Sequence, residues 1–499
     1  MPVRPKTFAV VLFVVSAVVA TACGGVRSPD PALTSPTARS EDPPPPSSAP
    51  PDKVTLTSST VAWETYQYET TRFGTIAPGS YDGQTRSSQT FETWVLENEY
   101  LVVTLLPEFG GRILSIVYKP TGHEQLYQNP VGVPYQIDTN VFYFNWLMVY
   151  GGIFPTFPEP EHGKTWFAPW RFEVVEDTPT SVTVAMSFVD ETDHPFVPSQ
   201  YDGSATGLEL TYMVTLTSGR AAVDVEVVID NPTDETASFE YWTNATLAPG
   251  SEPGDTRTGA DAEIVAPVDL IRIPSYWEGI AAQEEPTGLI DVYRFDRLRR
   301  FGNWSDLGIA YAFPDMGGAG FWGVIDHMSG EGIFRIADNS ITPGLKIWTW
   351  GYPQTADIDP QAGPNEARPY IELWAGLTRE FFTPTKIGPG EVIRFDETYA
   401  PTVGLENVTH ANRDVLVDLS VADGQVTADV FGLHPGQSVS ALLTLAGQAI
   451  YEGEIAFDPG GAASLGAGIP DGGTGALRLE LTDTAGSLLF EGVLGLDDA

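Results

Sequence analysis

From about residue 54 the chain is written in short runs that alternate apolar and polar residues or carry β-branched ones. Val54–Ala62, Tyr100–Leu106, Ile113–Tyr118, Ser181–Phe188, Leu208–Thr217 and Ala222–Ile229 are the clearest. A period of two is what a strand with one buried face requires. Turn clusters such as Pro107-Glu108-Phe109-Gly110-Gly111 and Asp230-Asn231-Pro232-Thr233 separate the runs, and no amphipathic helix of three turns is legible before residue 400. Long antiparallel sheets in this number pack as a sandwich rather than a single barrel, so the fold class is all-β.

Two later runs carry chemistry as well as periodicity. In Leu345-Lys346-Ile347-Trp348-Thr349-Trp350-Gly351, strand alternation puts Lys346, Trp348 and Trp350 on one face. In Pro369-Tyr370-Ile371-Glu372-Leu373-Trp374-Ala375-Gly376 it puts Tyr370, Glu372 and Trp374 on one face and Ile371, Leu373 and Ala375 on the other. Aromatic rings offer the flat apolar surface on which the C–H face of a sugar lies, and charged groups hydrogen-bond its hydroxyls. The two strands therefore point to a carbohydrate ligand; an aromatic core with a wet edge is the alternative.

The texture changes near residues 401–412. Aromatics thin out, lysine is absent, and Gly and Ala rise. Val415–Val421, Val426–Val430, Val439–Leu445, Ile450–Phe457 and Leu477–Leu481 are short runs at close spacing, the pattern of an immunoglobulin-like or fibronectin-like β-sandwich. Residues 411–499 are expected to form a small accessory module; a strand extension of the main sheet is the alternative.

The start of the chain reads as an address. Arg4 and Lys6 precede an apolar run from Phe8 to Val19 that is short for a membrane span, so residues 1–22 are expected to be an export signal. The run ends at Ala20-Thr21-Ala22-Cys23-Gly24, which resembles a bacterial lipoprotein cleavage box with Cys23 as the lipidated residue. An ordinary secretory peptide cut after Ala22 is the alternative. Residues 23–53 then form a tether, proline-rich at Pro43-Pro44-Pro45-Pro46, with too little apolar content for a core. Extended, it reaches up to about 80 Å from a membrane surface.

Composition narrows the partners. A net charge of −40 excludes a nucleic-acid backbone as ligand. Cys23 is the sole cysteine, so the folded part has no disulfide, no cysteine-based zinc site and no cysteine nucleophile. No cofactor motif occurs, and no metal site is spelled out, although scattered surface carboxylates could hold a structural Ca²⁺. No Gly-x-Ser-x-Gly elbow or His-Glu-x-x-His helix is present. Gly163-Lys164-Thr165 copies the end of a phosphate loop, but Pro158 stands at its first glycine.

The segment from Leu96-Glu97-Asn98-Glu99-Tyr100-Leu101 through Leu106-Pro107-Glu108-Phe109-Gly110-Gly111-Arg112-Ile113 resembles the opening of a galactose-mutarotase-like domain. Later blocks are similar to one family of that superfamily, DUF5107. They are Gly151-Gly152-Ile153-Phe154-Pro155 with Glu161-His162-Gly163, Tyr241-Trp242-Thr243-Asn244-Ala245, Lys346 to Gly351, Tyr370 to Gly376 and the turn Pro389-Gly390-Glu391. The resemblance implies a galactose-mutarotase-like supersandwich over residues 54–403, two large antiparallel sheets whose concave face binds sugars. It implies no settled reaction.

Within that frame Glu372 stands where the family's sugar mutarotases carry their base, and it is the candidate general base at an anomeric hydroxyl. His162, in a Gly/Pro-rich loop with Phe154, Phe157, Trp166, Phe167 and Trp170, is the candidate acid. The His-x-Tyr-x-Asn pattern of aldose mutarotases is absent, which puts mutarotation itself in question. Candidate substrate-binding residues are Arg112, Trp242, Asn244, Asp326, Lys346, Trp348, Trp350, Tyr370 and Trp374. Asp326 or Glu161 opposite Glu372 would form a carboxylate pair suited to glycoside hydrolysis. The function expected is an exported carbohydrate-binding protein, an epimerase or glycosidase if catalytic. A non-catalytic glycan-binding lipoprotein and a structural envelope lipoprotein are the alternatives.

Overall fold

A computed structural model describes residues 53–67, 69, 80, 82–129, 131–132, 135–136, 145–146, 151–159, 162–165, 168–193, 203–304, 308–318, 320–349, 368–470 and 473–496. The signal segment, Cys23, most of the tether, Glu161 and Trp350 lie outside these residues.

Two large sheets dominate. The first has 13 strands, and its path runs through Val292–Arg294, Leu270–Arg272, Gly308–Ala312, Gly344–Thr349, Ile371–Gly376, Trp242–Ser251, His123–Leu126, Arg112–Tyr118, Leu101–Leu106, Asp82–Glu97, Thr55–Gln67 and Val131–Gly132. Ile153–Thr156 pairs off this path with Trp242–Ser251 and Arg112–Tyr118. The second has 8 strands, including Ser181–Val189, Glu209–Thr217, Val223–Asp230, Val392–Val403, Glu331–Ala337 and Phe321–Asp326. All pairings in both are antiparallel except Thr55–Gln67 with Val131–Gly132. This is the supersandwich that the resemblance implied.

Alternation explains the packing. In the second sheet Val182, Val184 and Met186 share a buried face with Leu210, Tyr212, Val214 and Leu216, held by the register Val184↔Val214. They meet Leu101, Val103, Leu105, Ile113, Ile347 and Leu373 of the first sheet in one core. Within this core Arg335 and Glu397, both fully buried, pair at 2.7 Å. Thr243 and Tyr399 donate to the same carboxylate, and Asn339 and Thr342 accept from the guanidinium. A charge pair in such a place survives only with its remaining hydrogen bonds filled.

The chain from His410 onward forms two four-stranded sheets. One contains His410–Ala411, Val415–Ala422, Gln425–Gly432 and Ala463–Gly468, the other Gln448–Ala456, Ser438–Leu445, Ala476–Thr482 and Leu488–Gly495. They enclose their own core of Val417, Leu419, Ala441, Leu443, Leu479 and Leu481. Leu416, Phe431 and Leu433 instead pack into the main core. Across the same junction Ala221 N–H donates to the Leu433 carbonyl at 2.9 Å and the Tyr118 hydroxyl to the Pro459 carbonyl at 2.6 Å.

Candidate functional site

Five strands of the first sheet bring their outward faces together. Opposite residues of an antiparallel pair point to the same side. The registers Phe154↔Asn244, Asn244↔Trp374, Trp374↔Lys346 and Lys346↔Tyr311 therefore align five side chains in one row across five strands. The next row is Thr246, Glu372, Trp348 and Ile309. The row on the other side holds Trp242 opposite Gly376, itself opposite Gly344. A methyl group at Gly376 would sit 2.5 Å from the Trp242 indole, and one at Gly344 2.7 Å from it, so the ring lies flat across both glycines. Trp242, Ile309, Tyr311, Trp374 and Phe381 form a separate apolar cluster, with Trp277 and Trp348 against it.

Glu372 is buried within this floor. Its two oxygens accept from the Tyr370 hydroxyl at 3.2 Å and the Trp374 indole N–H at 2.8 Å. Both donors belong to its own strand face. Tyr370 stacks on Tyr127 with 4.2 Å between ring centroids. Lys346 is also buried, its ammonium 4.0 Å from the Trp374 ring centroid and 4.3 Å from that of Phe381. A desolvated cation between two aromatic faces gains about 2 kcal/mol.

Arg112 has no exposed surface. Its guanidinium lies 4.2 Å over the Phe154 ring and donates to the carbonyls of Phe109 and Gly151, each at 2.7 Å. Burial lowers it to about 9. His162 enters from a loop that Gly163 closes: at φ +69, in the left-handed region, Gly163 lets Lys164 N–H reach the Phe157 carbonyl at 2.9 Å. Lys164 then anchors the loop on Asp190 at 3.1 Å. The imidazole comes to rest 5.8 Å from the Trp374 ring. Burial, with Lys346 and Arg112 nearby, pushes its pKa down to about 3.

At neutral pH the His162 ring is uncharged and holds no proton to give as an imidazolium acid. Asn244 is fully buried between Phe154 and Trp374, and neither end of its amide has a hydrogen-bond partner among the described residues. Trp242 donates its indole N–H to Glu240 at 3.3 Å, on the strand face the alternation predicts.

Asp326 is not in this constellation. It closes a turn of the second sheet, accepting from Ser329 at 2.8 Å, and it is packed against Gly250 and Gly259. Burial first, and then Asp261, raise its pKa. It is thus no partner for Glu372. Trp322, on the same strand, lies in the core between the sheets. Tyr127, Phe381, Tyr311 and Trp277 are site residues that the sequence did not single out. Phe381 lies in a turn and Tyr127 just past the strand His123–Leu126, so neither carries a periodic signal. Among the described residues no group of three or more His, Cys, Asp or Glu is arranged to hold a metal ion.

Residues 77–392 match the family described as Domain of unknown function (DUF5107). The chain belongs to the DUF5107 family. Among solved structures it is similar to a TPR-domain containing protein from Parabacteroides distasonis, with TM-score 0.54 and 17% identity over 71% of this chain and 56% of that one. It thus spans just over half of that protein's length, and the likeness is one of fold. It is also similar to a galactose mutarotase-like protein from Clostridium acetobutylicum (TM-score 0.41, 11% identity, 63% of this chain and 96% of that one). A galactose 1-epimerase from Lactobacillus acidophilus matches with TM-score 0.40 and 12% identity over 70% of this chain and 100% of that one. Identities this low speak to the course of the chain and not to chemistry. Within the DUF5107 match fall Arg112, His162, Asn244, Lys346, Glu372 and Trp374, so the floor belongs to the family region of the chain.

Proposed function

We propose that this DUF5107 protein binds a carbohydrate on the aromatic floor of its larger sheet, with Glu372 as general base at the anomeric hydroxyl. The observation that carries this reading is the Glu372 carboxylate, held by Tyr370 and Trp374 amid rings on which a sugar face stacks. A base needs a carboxylate held in a fixed orientation, and these two donors hold it. A non-catalytic sugar-binding protein is the second reading: burial pushes the His162 pKa down, which disfavours an imidazolium acid at the ring oxygen. Export and a lipid anchor at Cys23 complete the reading, on the strength of residues 1–23 alone.

Anomeric proton NMR of the purified protein with a panel of mono- and oligosaccharides tests both. Faster anomer exchange or new reducing ends, abolished in Glu372→Gln with binding retained, establishes the enzyme. Saturation transfer without turnover, weakened by Trp374→Ala, establishes the binding protein. Silence across the panel ends the carbohydrate reading.

A further inference from the structure

The row Phe154, Asn244, Trp374 and Lys346 has a cation at each end. Arg112 lies over the Phe154 ring, and Lys346 lies over that of Trp374. Asn244 stands between those two rings, fully buried, with both amide atoms unpartnered among the described residues. Leaving one buried polar group unmade costs about 1–3 kcal/mol, so an amide with both ends unmade is an arrangement that a ligand completes. His162 adjoins the same row at Trp374, and the charges that weigh on it are those of Lys346 and Arg112. In a chain of net charge −40, two cations acting on one buried place make it locally positive.

We propose that this row is a subsite for the carboxylate of a uronic acid, so that the sugar bound by this protein is an acidic one. The inference rests on the carbohydrate reading and narrows its ligand class. A uronate combines a planar anion with a flat C–H face. Lys346 and Arg112 supply the counter-charge. The Asn244 NH₂ group donates to a carboxylate oxygen, while its carbonyl oxygen accepts from the neighbouring ring hydroxyl. One ligand thereby fills both ends of the amide. The Glu372 carboxylate in the next row keeps the excess cationic charge small, which suits a monoanion better than a phosphate dianion.

Calorimetric titration of the full chain with galacturonate, glucuronate, galactose, glucose and galactose 6-sulfate is the test. Uronates are expected to bind roughly ten- to hundred-fold more tightly than the matching neutral sugars, the worth of one or two hydrogen bonds to a charged group. Lys346→Met is expected to erase that preference. Asn244→Leu removes two unpartnered polar atoms at similar volume, so it should fold with a Tm at or above wild type while losing uronate affinity. It keeps the test decisive should Lys346→Met fold poorly. Neutral sugars bound as tightly as uronates overturn the subsite and leave the carbohydrate reading standing. Binding of none of the five overturns both. A sulfate ester preferred over galacturonate, or a uronate preference that survives in Asn244→Leu, overturns the assignment to a carboxylate at this row.

Discussion

His162 sets the acid limit of the site. Unfolded, an imidazole takes its proton near 6.5; folded here, it does so only near 3. Between those values the unfolded chain binds more protons than the native one, so His162 makes stability fall as pH falls through that window. At pH 5 the loss is about 2 kcal/mol. His162→Gln, compared with wild type by urea unfolding between pH 7 and pH 4.5, is expected to flatten that part of the slope. Equal slopes would mean that the ring is solvated. The neighbours of Glu372 were legible because they follow from alternation alone: Tyr370 and Trp374 share its face, and Ile371 and Leu373 enter the core. The state of His162 was not legible, since a pKa depends on what surrounds a loop and the sequence does not say what does. Asp326 shows the same gap: its strand alternates as the site strands do, but nothing in the alternation tells which sheet it joins.

At the scale of strands, register does the assembling. Asn244 is 102 positions from Lys346 and 130 from Trp374, and the three meet because three strands hold one alignment. Gly376 and Gly344 serve that alignment by leaving room for the Trp242 indole. Gly376→Ala is therefore expected to push the ring off the sheet, costing about 1–3 kcal/mol of stability and weakening sugar binding. A Tm and a sugar affinity both equal to wild type would show that the ring has another resting place. Most strands could be read from their alternation, with ends displaced by a few residues. Asp82–Glu97 could not: its sequence is polar over its first half, and it is a strand because it pairs along its length with Thr55–Gln67. Tertiary pairing, not local preference, decides such a strand.

For the whole molecule, the junction between the supersandwich and the C-terminal sheets is the telling place. Phe431 belongs to a C-terminal strand, yet it is buried in the main core with Leu416 and Leu433. Phe431→Ala is expected to cost about 3–5 kcal/mol, read as a lowered midpoint of one shared calorimetric transition. Two transitions, with only the smaller displaced, would mean that the C-terminal sheets unfold by themselves. The texture of the sequence changes near residue 401, but composition carries no trace of which side of each strand is covered. At the other end, Cys23→Ser is expected to move the protein from the membrane pellet to the soluble fraction; retention in the pellet would remove the lipid from the reading.

The crowding of indoles around one ammonium has an optical consequence. Trp374 shares the Lys346 row, with the ammonium resting on its ring, and Trp242 and Trp348 stand in the rows on either side. A ligand anion that draws Lys346 away changes the electric field at that indole, and with it the colour of its emission. The protein thus carries its own dye at the place where binding is to be sought, and intrinsic fluorescence can screen ligands before any of them is labelled.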